Sequence, residues 1–142
     1  MGTMEDLLTS AIEISTSIRD ELVAHALAAL PNEACGLLAG PDGRIERFFP
    51  MRNADESSFT YRLEPKEQLA VFEEIEARGW DLKAIFHSHT HTEAYPSPTD
   101  QRQAFYPDAF YVLLSLADRE FPVLRGFTIR HGEVEEHEVR MA

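Results

Sequence analysis

The chain has little of three things, and each shortage removes a class of explanation. Its only cysteine is Cys35, so no intrachain disulfide can form and no cluster of thiolates can hold a metal. Basic residues are scarce: 13 Lys and Arg stand against 25 Asp and Glu, a formal net charge of −12. A field of that sign repels phosphate backbones and anionic lipid, which excludes nucleic acid and membranes as expected partners. Long apolar runs are missing too. No stretch approaches the roughly 20 residues of a membrane span, and the start lacks the basic-then-apolar pattern of a secretory signal. A cytoplasmic location is therefore the expectation.

What is present fits one globular unit. The 142 residues are 44% apolar and 27% charged, enough for a single core without low-complexity tracts. Residues 1–10 read as a polar lead, with Met4 suggesting that the first three residues precede the natural start, and 11–142 as the domain. "AIEIS" at 11–15 alternates like a half-buried strand. Ser17 and Asp20 form an S-x-x-D helix start, followed by Ile18, Leu22, Ala26, Ala29 and Leu30 at helical spacing and Pro31 as a stop. "ACGLLAG" at 34–40 and "RIERFFPM" at 44–51 flank the turn Pro41-Asp42-Gly43, which predicts a hairpin.

"FTYRL" at 59–63 reads as a strand after a polar loop, and Pro65 opens a second helix whose apolar face is Leu69, Phe72 and Ile75, capped at Gly79. "LKAIF" at 82–86, "AFYVLLSLA" at 109–117, "VLRGFTIR" at 123–130 and "VEEHEVRM" at 134–141 read as strands. Helices alternate with strands early and hairpins dominate late. The expected fold is α/β (α+β): a single domain with a mixed, curved β-sheet flanked by helices.

Chemistry concentrates in "IFHSHTHTEAYPSPTD" at 85–100. His87 and His89 lie two apart at the end of a strand, so both imidazoles leave the same face, about 6 to 7 Å apart along the backbone. Imidazole suits zinc, and a carboxylate would complete a three-ligand set with one position left for water. Asp100 is placed for that by a helix start, with Ser97 as N-cap and Pro98 as first helical residue. The same S-x-x-D is also an ordinary capping box, so ligation by Asp100 is expected to come instead of closing the box. His91 falls in a loop and is not needed by a three-ligand site. Cys35 reads as a small buried residue, although a cysteine–histidine protease stays open. His25, His131 and His137 read as boundary or surface positions.

H-x-H, seven residues, Ser, two residues and Asp, with Pro96 before the serine and Glu33 in "NEACG" upstream, resembles the JAMM (MPN+) metalloprotease signature. The resemblance runs from about Ile12 to Val139. It implies a cytidine deaminase-like JAMM/MPN architecture, a Zn2+ held by His87, His89 and Asp100, Glu33 as the general base, and Ser97 steadying the oxyanion. It further implies hydrolysis of peptide or isopeptide bonds that follow the C-terminal Gly-Gly of a ubiquitin-like protein. "EACGLLAG", "NADES" and "YRLEPKEQL" look most like the short bacterial Mec-type members, which release cysteine from a small ubiquitin-like sulfur carrier in cysteine biosynthesis.

A desampylase- or deubiquitinase-type isopeptidase is the alternative within the family, and a non-catalytic MPN scaffold is the alternative outside catalysis; such scaffolds typically lack the ligands present here. One cysteine rules out the ligand set of a zinc nucleoside deaminase and, with so compact a chain, argues against the second, cysteine-containing zinc site of some relatives. Arg102 is a candidate to meet the α-carboxylate of a departing cysteine, or to pair with a neighbouring acid. Homo-oligomerisation is left open.

Overall fold

A computed structural model describes residues 11–142. The lead at 1–10 lies outside the described residues. Seven strands form one mixed sheet: β1 (Ala11–Ile14), β2 (Cys35–Gly40), β3 (Arg47–Met51), β4 (Asp81–His89), β5 (Phe110–Ser115), β6 (Val123–Arg130) and β7 (Glu133–Met141). Their order across the sheet is β1-β7-β6-β5-β4-β2-β3, with β1/β7 and β4/β5 parallel and the other pairs antiparallel. Among the described residues three helices accompany it: α1 (Thr16–Ala29), α2 (Pro65–Ala77) and α3 (Pro98–Arg102). This is the mixed α+β domain expected from the order of elements.

The middles of the central strands are apolar because both of their faces are covered there. Side-chain alternation divides the core in two. Leu38, Ala84, Phe86, Val112 and Leu114 pack with Ile18, Leu22 and Ala26 of α1, whereas Leu37, Ile85, Tyr111 and Leu113 pack with Ile75 of α2. By the same alternation His87 and His89 leave β4 on the α2 side and Ser88 on the α1 side. The histidines therefore begin life as core positions, at the place where the core runs out.

Several local expectations change in the structure. α1 is capped by Ser15, whose hydroxyl accepts from the Ile18 N–H at 3.1 Å, so the operative cap lies two residues before the Ser17 pattern. "FTYRL" is not a strand; its only ladder contact is an isolated bridge between Asn53 and Leu63. The cause is a side chain: the Asn53 amide donates to the Thr60 carbonyl and accepts from the Arg62 N–H, taking up groups a ladder would use. In α2 the buried face is Ile75 with Val71 and Phe72 partly covered, while Leu69 is 61% exposed. β4 runs on through the histidines to His89, three residues past the end of "LKAIF". Among the described residues no helix is long and apolar enough to cross a membrane.

Phe86 is fully buried under α1 and meets Phe48 edge-on at 5.5 Å. Phe86→Ala should cost about 3–5 kcal/mol of unfolding free energy, read from urea denaturation.

Candidate metal centre

β4 lies between β2, which is antiparallel to it, and β5, which is parallel. Cys35 opens β2 opposite His87 near the end of β4. Because the two strands run in opposite directions, the residues just before β2 reach the end of β4, and this brings Glu33 to the histidines from more than fifty positions away in the chain. Two further bonds hold that junction: the Ala34 N–H donates to the Ser88 hydroxyl at 2.8 Å, and the Ser88 N–H to the Ala34 carbonyl at 3.0 Å. Ser88 was not singled out by sequence reasoning. The signal available was its position between two outward histidines, which points its hydroxyl to the opposite face.

α3 brings the third group. Ser97 accepts from the Asp100 N–H at 3.0 Å, and Asp100 Oδ2 accepts from the Ser97 N–H at 2.9 Å, a closed capping box. The same Oδ2 lies 3.0 Å from Nε2 of His87 and 3.0 Å from Nε2 of His89. Asp100 thus closes the capping box, contrary to the expectation that it would be left open, and turns the same oxygen toward both histidines. All three side chains are buried, and one ligand atom from each lies within 4.8 Å of the others.

The donor set fits a divalent cation, on an argument from its protons. His89 Nδ1 lies 2.8 Å from the Glu93 carbonyl, which can only accept, so the ring proton sits at Nδ1. In a neutral imidazole this leaves a lone pair at Nε2, aimed at the carboxylate of Asp100. Two acceptors at that distance repel unless a positive charge joins them, either a second ring proton or a metal ion. A carbonyl that fixes the far nitrogen is also the usual support of a metal-ligating histidine.

The electrostatics follow the same geometry. Burial alone would raise Asp100, but the bonds from His87 and His89 outweigh it and hold the carboxyl far below its ordinary range. Burial holds His87 below its ordinary value. Burial would also lower His89, but Asp100 and the Glu93 carbonyl together leave it raised. Tyr61 lies flat on the His87 ring, centroids 4.2 Å apart and 18° between planes, and fixes that imidazole from above.

Glu33 is 3% exposed and its Oε1 has no hydrogen-bond partner. Burial raises its pKa from 4.5 to about 8, against the opposing pull of His89. It lines a small cleft of about 160 Å³ with Ser58, Phe59, His89, Thr90 and Ser97. The five sequence candidates, Glu33, His87, His89, Ser97 and Asp100, thus lie around one end of β4.

Of the other candidates, His91 lines the same cleft and the rest lie outside it. His91 is exposed and its Nδ1 lies 2.8 Å from the Thr90 hydroxyl. Cys35 is fully buried, and burial pushes its thiol up to about 12, so the thiolate a cysteine protease needs does not form near neutral pH. Arg102 is exposed on α3 and donates to the Thr99 hydroxyl at 3.1 Å rather than to an acid. His25 lies 3.0 Å from the Cys35 carbonyl, His131 sits exposed in the β6–β7 turn, and His137 packs edge-on to Phe110, all boundary or surface roles.

Comparison with known proteins shows the family. The family model "Prokaryotic homologs of the JAB domain" matches residues 15–128, so the chain belongs to that family, the JAMM/MPN group whose signature the histidine segment resembles. A relative named CysO-cysteine peptidase, from Mycobacterium tuberculosis (strain ATCC 25618 / H37Rv), is 46% identical over 130 residues, covering 90% of this chain and 89% of the relative. A desampylase of Haloferax volcanii is 33% identical over 116 residues, covering 77% and 84%. The solution structure of protein DSY2949 from Desulfitobacterium hafniense superposes with a TM-score of 0.85 at 40% identity, over 92% of each chain.

The raised Glu33 has a measurable consequence. Between pH 4.5 and about 8 the unfolded chain has released this proton while the folded chain keeps it, so this group makes stability fall as pH rises through that window. In metal-stripped protein, Glu33→Gln should be more stable than the parent at pH 8, by on the order of a few kcal/mol, with the gap closing toward pH 4. Chemical denaturation at the two pH values with chelator present checks it; equal stabilities at pH 8 would refute it.

Proposed function

We propose that this chain is a zinc-dependent JAMM-type hydrolase that cuts the amide bond after the C-terminal Gly-Gly of a small ubiquitin-like sulfur carrier and releases cysteine. The observation that carries the chemistry is the meeting of His87, His89 and Asp100 beside the unbonded carboxylate of Glu33. The substrate reading rests on the 46% identity to a CysO-cysteine peptidase over nearly the whole chain.

His87, His89 and Asp100 would hold the metal. A zinc there would supply Lewis acidity, polarising the scissile carbonyl and making water more acidic. Glu33 takes a proton from the attacking water and returns it to the leaving amine; its Oε1 has no competing partner within the protein. Ser97 accepts the Asp100 N–H through its lone pair, which leaves its own hydroxyl proton for the oxyanion that forms at the attacked carbonyl.

The small cleft suits a tail without side chains. An extended Gly-Gly segment offers main-chain donors and acceptors only, and binds as an added strand through them. Phe59, 75% exposed on the cleft wall, gives that segment an apolar surface to lie against.

Glu33→Gln should keep its zinc and fold and lose about 10² to 10⁴ in rate. Mass spectrometry of a carrier–cysteine adduct reads the activity, beside a lysine-linked conjugate of the same carrier. Cleavage of the cysteine adduct should stop with a metal chelator and survive a thiol alkylator. An adduct left intact by zinc-loaded protein would defeat this substrate, and cleavage of the lysine conjugate alone would move the assignment to the isopeptidases.

A further inference from the structure

The polar loop between β3 and α2 is organised around one buried side chain. Asn53 is 7% exposed, and both ends of its amide are engaged. Nδ2 donates to the carbonyls of Glu33 at 3.1 Å and Thr60 at 2.9 Å, with the Ser57 carbonyl at 3.4 Å. Oδ1 accepts from the N–H of Asp55 at 2.9 Å and of Arg62 at 3.1 Å. An amide has two donor hydrogens and two acceptor lone pairs, so its capacity is filled.

These partners join two things that the reaction needs in one place. One is Glu33. Its Oε1 makes no hydrogen bond, so the direction of the carboxylate depends on how firmly its backbone is held. The Glu33 N–H donates to the Ser57 carbonyl at 2.8 Å and the Glu33 carbonyl accepts from Asn53, both within the same loop system. The other is the cleft wall. The loop carries Ser58 and Phe59, which line the cleft, and Tyr61, which lies on the His87 ring. The Thr90 hydroxyl, just beyond β4, donates to the Ser58 carbonyl at 3.1 Å and closes the circuit.

We propose that Asn53 is a positioning residue whose single amide locks Glu33 and the 55–62 cleft wall into one body facing His87, His89 and Asp100. Nothing smaller does this. An aspartate of the same shape keeps the two bonds from Asp55 and Arg62 but sets a lone pair against the carbonyls of Glu33 and Thr60, while alanine removes all of them. The proposal rests on the hydrolase reading for its catalytic half and on geometry alone for its structural half.

The test uses Asn53→Asp and Asn53→Ala in the full chain, with zinc content, steady-state kinetics on the carrier–cysteine adduct, and hydrogen exchange of backbone amides. Zinc content should equal that of the parent. kcat should fall about 10- to 100-fold, the usual cost of losing a group that orients a metal site, with KM changed much less. The Glu33 amide should exchange faster in both variants, and the Arg62 amide in Asn53→Ala, which alone removes its acceptor, while those within β2, β4 and β5 keep their protection. Parental kcat with unchanged exchange in both variants would overturn the proposal. So would a uniform loss of protection across the sheet in both, which would make Asn53 a stability residue only. If the parent protein leaves the adduct intact, the hydrolase reading fails by itself, and the exchange pattern, which needs no substrate, still decides whether Asn53 locks the loop.

Discussion

Oδ2 of Asp100 lies 3.0 Å from two imidazole nitrogens that arrive on a different element, and this convergence is the constraint on which the rest of the site depends. It is expensive to assemble. A buried carboxylate and two buried imidazoles must give up water, a cost offset by the partners they find in one another and in the backbone, although Nδ1 of His87 is left without a hydrogen bond. The Glu93 carbonyl fixes the proton of His89, the Ser97 N–H steadies the carboxylate, and Tyr61 holds the plane of His87. Each support comes from a different stretch of chain, so the group exists only when the sheet and α3 are both in place.

The sheet supplies the placement. Antiparallel pairing of β2 with β4 turns a long sequence separation into adjacency and puts Glu33 at the end of the histidine strand. β4 is covered on both faces along most of its length, so its C-terminal end is where apolar alternation passes into polar alternation without a change of backbone. Ile85, His87 and His89 share one side of the strand; the first is core and the last lines the cleft. Function here is the continuation of the core pattern beyond the point where the core closes.

Much of this was legible in the chain. β6 matches its predicted span, 123–130, because alternation, bulky residues and the His131-Gly132 turn all agree. The histidine face followed from a period of two, and the α3 cap from Ser97, Pro98 and Asp100. The parts that were not legible share one cause. Ser15 displaced Ser17 as the α1 cap, and "FTYRL" became a loop, because a side chain elsewhere or one turn away claimed the backbone groups on which the local pattern relied. Asn53 is the clearest case: in sequence it is one more polar residue before a run of acids and serines, and its importance comes from which five backbone groups surround it after folding. The meeting of Glu33 with the histidines was readable only through family resemblance, since strand pairing over that separation leaves no local trace.

The central claim is that two imidazoles and one carboxylate, with no sulfur, hold a single zinc. X-ray absorption at the zinc edge of the purified, zinc-loaded protein measures this directly. The account predicts one zinc per chain with a first shell of nitrogen and oxygen near 2.0–2.1 Å and an imidazole pattern equivalent to two histidines. A sulfur scatterer near 2.3 Å, or stoichiometric zinc retained after His87, His89 and Asp100 are all replaced, would contradict it.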